Sequence, residues 1–213
     1  MYRVVLLTLL SLSLAGCGTS SYSLTANLSP SSGQSVPKST RGYETGSLDQ
    51  SSKGVAKAED KAPKGSFEKA AAGALSDRDF SGTRLDAEQA RELVNAYRKQ
   101  KGLRPLKLQP ALTEAARAHA RDLAKWDRIS HFGSDGSNPW DRVKRVGYNA
   151  KLAAENVGTG QASIVEVMKG WQASPGHNKN LLIADAEHMG IAMVHDPKTE
   201  FKTFWTLVIG SSR

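Results

Sequence analysis

The chain holds one cysteine in 213 residues. A single thiol excludes an internal disulfide framework and a zinc site built from several cysteines. Apolar residues are also scarce, at 39% against the usual ~45–50%. No apolar run approaches the roughly 20 residues of a membrane-spanning helix, so a multi-span membrane protein is excluded. Hydrolase signatures are missing as well: no GxSxG and no HExxH occurs. Aromatic residues are 7%, and no tryptophan lies between residues 18 and 85.

What is present divides unevenly. Trp126, Trp140, Trp171 and Trp205 all follow residue 85, which places the core in residues 86–213, enough for one domain. Residues 18–85 are dominated by Ser, Gly, Lys, Ala and Pro. Such a segment buries too little apolar surface to offset its ordering entropy, so a disordered linker is expected there. Its weak apolar run, Phe67 to Leu75, reads as a transient helix or no structure. As a flexible chain, the linker has a typical reach of about 45 Å.

Net charge is +8, with +3 on residues 1–85 and +5 on residues 86–213. The basic groups of the domain are dispersed, without a run of five or six. They read as a solvated surface, drawn to anionic lipid or wall polymers, and nucleic acid is not an expected partner.

The N-terminus reads as an address. Met1-Tyr2-Arg3 is a short positive start, and Val4 to Leu14 is an 11-residue run broken only by Thr and Ser. That length suits a signal peptide. Leu14-Ala15-Gly16-Cys17 follows and resembles the bacterial lipobox, in which the Cys becomes the lipidated first residue. The alternative is an ordinary secretory signal with a chance Cys. Lipidation would consume the sole thiol and anchor the chain through its acyl groups. Gly18, rather than Asp, follows the Cys; by resemblance to Gram-negative lipoproteins, that implies the outer membrane facing the periplasm, if the host has one. The expected organisation is a signal over 1–17, a linker over 18–85 and a domain over 86–213.

Within the domain, Asp86 with Gln89 and Ser163 with Glu166 are capping-box patterns that open helices. The first carries Ala90, Leu93, Val94 and Tyr97 at helical spacing, and Gly102 stops it. Another helix starts near Pro110, with Leu112, Ala115, Ala116, Ala120 and Leu123 on one face. Asn138-Pro139-Trp140-Asp141 caps a short helix to Gly147. Lys151–Gly158 fits a strand or a loop. Residues 189–195 and 203–209, joined by Asp196-Pro197-Lys198-Thr199, signal a hairpin. Leading helices followed by an antiparallel pair argue an α+β fold.

These segments resemble the CAP superfamily of cysteine-rich secretory, antigen-five and pathogenesis-related proteins, in its bacterial, SCP-like branch. The resemblance rests on Leu93 to Arg98 with Gly102-Leu103 and Pro105-Leu106, then His119 to Ala124, Ser130-His131, Asp135-Gly136-Ser137 and Arg145 to Tyr148. It continues through Ala154-Glu155-Asn156-Val157, Trp171 to His177, Asn180-Leu181-Leu182 and Phe204-Trp205-Thr206. It implies an α-β-α sandwich with a small antiparallel sheet between helical layers.

The family cavity is lined by two His and two acids. By resemblance these fall on His131, Glu155 and His177, while Ser174 stands where the second acid usually sits. Two imidazoles and a carboxylate could hold Zn²⁺ with an open position for water. Glu155 could instead fix one imidazole's tautomer from behind a metal. A buried His–Glu–His hydrogen-bond network, purely structural, is the third reading. His119 reads as a packing or surface residue, His188 and His195 as surface residues, and Trp171 and Trp205 as core. Three functions follow. One is a non-catalytic module at the cell envelope, binding an amphiphile such as a lipid, or an envelope protein. Another is a zinc-dependent hydrolase of envelope peptides or polymers. The last is a structural module held near the membrane.

Overall fold

The computed structural model describes the backbone of residues 22–28 and all of residues 60–213. The expected signal peptide and Cys17 lie outside the described residues. In chain order the elements are β1 (Tyr22–Leu28), β2 (Phe67–Glu68), α1 (Ala87–Gln100), β3 (Lys107–Leu108), α2 (Pro110–Trp126) and β4 (Ile129–Ser130). Next come α3 (Pro139–Arg145), β5 (Ala150–Thr159), α4 (Ile164–Ala173), α5 (Pro175–Leu181), β6 (His188–His195) and β7 (Thr203–Ser212).

Helix starts follow the capping residues. The Asp86 carboxylate accepts from the amides of Glu88 and Gln89 at 2.9 and 3.1 Å, filling orphan donors of the first turn of α1. Asn138 and Asp141 complete a reciprocal box at α3, with Pro139 in its first turn. Ser163 caps α4. Lys151–Gly158, open between strand and loop in the sequence, belongs to the strand β5.

The main sheet runs β1-β5-β7-β6-β3. Its pairs are antiparallel except β3 with β6, which are parallel. Alternation along the strands divides two helical layers. Trp205, Leu207 and Ile209 of β7 and Met189 and Ile191 of β6 pack against α1, α4 and α5. Val208 and Ala192 face α2 and α3. The α-β-α sandwich is therefore present, with a mixed edge. One contact fixes the layer spacing. A Cβ on Gly190 of β6 would come within 2.1 Å of the α2 backbone at Leu112 and Thr113, so only glycine lets that helix lie this close.

The expected unstructured linker over 18–85 needs correction in two places. Residues 22–28 form β1 along β5. Residues 60–85 pack onto the domain, although their average composition is poor in apolar groups. A few spaced anchors suffice. Asp60 pairs with the buried Arg128, whose guanidinium lies over the Phe67 and Trp126 rings. Short β2 pairs with β4. Leu75 and Phe80 are buried, and Leu75 fills the space that a Cβ on Gly160 would need. Arg78 grips both Glu166 oxygens at 2.8 Å and the Gly160 carbonyl oxygen at 2.8 Å.

Candidate functional site

The centre of the site is Glu155, in the middle of β5. Its side chain is fully buried and points toward the α2–α3 layer. Oε1 accepts from His131 Nδ1 at 2.9 Å. Oε2 accepts from Arg142 Nη2 at 2.7 Å. His119 lies beside them, its Nε2 3.6 Å from Glu155 Oε1 and donating to the Ser130 carbonyl oxygen at 2.9 Å.

Local structure explains each position. His119 follows Ala115 and Ala116 by four and three residues, on the buried stripe of α2. His131 follows directly on β4, which β2 holds. Arg142 is carried by the capped helix α3. Its guanidinium also donates to the carbonyl oxygens of Ser137 and His131, at 2.9 and 3.0 Å. One buried carboxylate is thus matched by one buried guanidinium and aligned imidazoles, the condition under which a buried charge is tolerated.

The electrostatics follow from that pairing. Burial alone would raise the Glu155 carboxyl; Arg142, then His119 and His131, outweigh it and hold it well below the usual carboxylate range. Burial is also the main force on His119. With repulsion from Arg142 it overcomes the pull of Glu155 and lowers the imidazole to about 4. At neutral pH Glu155 is ionised and His119 is neutral. A carboxylate held this low is a poor general acid or base near pH 7.

The other sequence-derived residues are placed differently. His177 is buried at the start of α5. Its carbonyl oxygen accepts from Asn156 Nδ2 at 3.1 Å. Asn180 Nδ2 donates to the Glu155 carbonyl oxygen at 3.1 Å and to Asn156 Oδ1 at 2.9 Å. Asn156 follows Glu155 on the strand, so this amide network occupies the opposite face. Ser174 joins α4 to α5, and its amide donates to the Gly170 carbonyl oxygen at 3.1 Å. His188, read as a surface residue, is half-buried, with its Nδ1 3.0 Å from the Tyr148 hydroxyl.

Glu155 does not fit this arrangement as a direct zinc ligand beside His131 and His177. Both Glu155 oxygens are engaged, and Arg142 already places a positive charge against the carboxylate. Among the described residues, no group of three or more His, Cys, Asp or Glu side chains is arranged to hold a metal ion. His131 differs from Glu155. Its Nδ1 is committed to the carboxylate, while its Nε2 is buried with no partner among the described residues.

Two members of the cluster were not identified as site residues from sequence. His119 had a signal: it continues the helical stripe inward. Arg142 had none, because an arginine in a short helix reads as surface. A cavity of about 230 Å³ adjoins the cluster, lined by His119, Asp122, Ser134, Asp135, Arg142 and Arg145 among others. It borders His119 and Arg142 rather than His131 or Glu155.

Layered helices on this sheet, with Glu155 of β5 bonded to His131 beyond β4, are the architecture of a CAP-type domain. The family model described as CAP, the cysteine-rich secretory protein family, matches residues 91–209. The chain belongs to this family. It is 36% identical over 115 residues to the Bacillus subtilis protein YkwD, covering 54% of this chain and 43% of that one. It is 27% identical over 121 residues to the Bacillus subtilis membrane protein YlbC, covering 56% and 35%. The chain therefore spans less than half the length of these relatives. Among solved structures, an extracellular SCP-domain protein from Bacillus anthracis matches with a TM-score of 0.54 and 23% identity, over 68% of this chain and 45% of that one. An outer surface protein from Borrelia burgdorferi matches with a TM-score of 0.54 and 20% identity, over 62% and 99%. These likenesses are in fold.

Proposed function

We propose that this chain is a lipid-anchored CAP-domain protein of the cell envelope that binds rather than catalyses. The ligand is an amphiphile or an envelope partner that meets the domain beside His131. The observation that carries this reading is the saturation of Glu155. Its two oxygens are taken by His131 and Arg142, and its charge is held where it neither ligates metal nor relays protons. His131 Nε2 then remains as a buried polar atom with which a ligand can hydrogen-bond.

The envelope location is supported by the signal-like residues 1–17 and the lipobox-like Leu14 to Cys17. Matching structures described as extracellular and outer-surface proteins agree with it. Radiolabelled fatty acid fed to expressing cells should enter the wild-type chain and not Cys17→Ser. The binding claim is tested by passing envelope extract over the immobilised protein, with a tag-only control. A defined lipid or protein should be retained by the wild type and released by His131→Ala. The reading fails if nothing is retained. It also fails if zinc-dependent cleavage of envelope peptides is found and is lost in a folded His131→Ala, His177→Ala variant.

A further inference from the structure

The sheet has two unequal edges. On one side it ends in β3, only two residues long. Short edge strands are a common way to keep sheets from pairing with foreign chains. On the other side β5 is ten residues long, and its outer row of main-chain donors and acceptors needs a cover. Residues 22–28 supply that cover. They pair antiparallel with residues 153–159 over their whole length, without a register shift, with Ala26 opposite Glu155 and Thr25 opposite Asn156.

The place is as informative as the pairing. Besides β5, β1 touches α5, β4 and α3. These elements carry His177, lead into His131 and carry Arg142. The strand therefore lies along the edge of β5, between the helical layer that carries the ionic network and the one that carries the amide network. Thirty-one residues separate Leu28 from Asp60, a length that can extend over roughly 100 Å. Asp60 itself is clamped by Arg128.

We propose that the outer edge of β5 is a peptide-binding site for an uncharged, extended polypeptide segment, and that residues 22–28 are its resident occupant in cis. This deepens the binding reading above, rests on it, and names the ligand class. Main-chain pairing depends little on sequence, so a second chain of the same kind can make the same bonds. Tyr22-Ser-Leu-Thr-Ala-Asn-Leu28 contains no charge, proline or glycine, and this composition is the pattern for the segment proposed. The cis copy competes with any incoming peptide at the effective concentration set by its linker.

The test uses the full chain solubilised in detergent and a fluorescent peptide with the sequence of residues 22–28. A Thr25→Pro, Ala26→Pro variant removes two adjacent amide donors. Whichever of the two faces β5, one ladder bond is lost without touching the domain. Exchange of those amides among residues 153–159 that face β1 should accelerate in this variant, while those that face β7 stay protected and the melting temperature of the domain is retained. The labelled peptide should bind the variant at least about tenfold more tightly than the wild type, reflecting loss of the cis competitor. The same peptide carrying both prolines should not bind. Unchanged exchange in the variant, or no peptide binding to it, overturns the proposal. Peptide binding equal in both chains overturns the cis occupancy. Retention of an envelope amphiphile through His131 without any peptide binding would defeat this inference and leave the broader binding reading standing.

Discussion

Glu155 and Asn156 are neighbours on one strand, yet they organise opposite faces by different chemistry. Glu155 gathers Arg142, His131 and His119 into a charged, buried cluster. Asn156 ties α5 to the sheet through neutral amides, with Asn180 and the His177 carbonyl. Both networks hold loops and short helices onto β5. The bonds of the second are made by amides and carbonyls, which do not titrate. The comparison separates a half of the site held by ionised groups from a half held by neutral amides and carbonyls.

The strongest way to break the comparison is to remove the charge. Glu155→Ala leaves Arg142 buried without its counter-ion, and about 3–5 kcal/mol of stability should be lost. Urea denaturation at pH 7 measures it. A loss similar to that of an amide variant would mean that the charge is not special.

The next test is pH. His119 is lowered from 6.5 to about 4 in the folded chain. Between those values the unfolded chain binds a proton that the folded chain does not, so stability falls as pH falls through that window. The total is about 3 kcal/mol, levelling off below the folded value. Glu155 acts lower: its contribution is complete above its ordinary value of 4.5 and is lost as pH drops further, because its folded value is depressed. Denaturation curves at pH 7, 6, 5 and 4 should show the His119 slope in the wild type. His119→Gln should flatten it between pH 6.5 and 4, while Asn156→Ala should leave it in place.

Asn180→Ala sharpens the neutral side. It removes donors from the Glu155 carbonyl oxygen and from Asn156 Oδ1, and should cost about 1–3 kcal/mol. The loss should be equal at pH 7 and pH 5. A strongly pH-dependent loss would merge the two networks into one. The smallest effect is expected at the packed N-terminal segment. Arg78 and Glu166 are 23% and 33% exposed, so Arg78→Ala should cost up to about 1 kcal/mol. Limited proteolysis should then cut near residues 73–82 sooner than in the wild type.

Much of the architecture was legible because local signals agreed with tertiary packing. Caps at Asp86, Asn138 and Ser163 set helix starts, and the hairpin of β6 and β7 followed from β-rich runs around Asp196-Pro197. The family resemblance put His131 and Glu155 in the site. Their joining in one hydrogen bond depends on how β4 meets β5, which no local pattern encodes. His119 was visible as a stripe position, but its partners come from two distant elements. Arg142 was hidden because a charged side chain becomes buried only when a matching carboxylate lies beneath it. The packing of residues 60–85 is hidden from composition, which averages over a segment, whereas Phe67, Leu75, Arg78 and Phe80 act one by one.

As proposed, Glu155 anchors the site rather than ligating a catalytic metal. Thermal unfolding at pH 7, with and without Zn²⁺, tests it directly in the wild type and in Glu155→Gln. Anything that binds only the folded state raises its stability by mass action. The account predicts that Glu155→Gln melts well below the wild type by the same margin in both buffers, and that Zn²⁺ does not raise the wild-type midpoint. A zinc-induced rise of several degrees in the wild type that disappears in Glu155→Gln would contradict it.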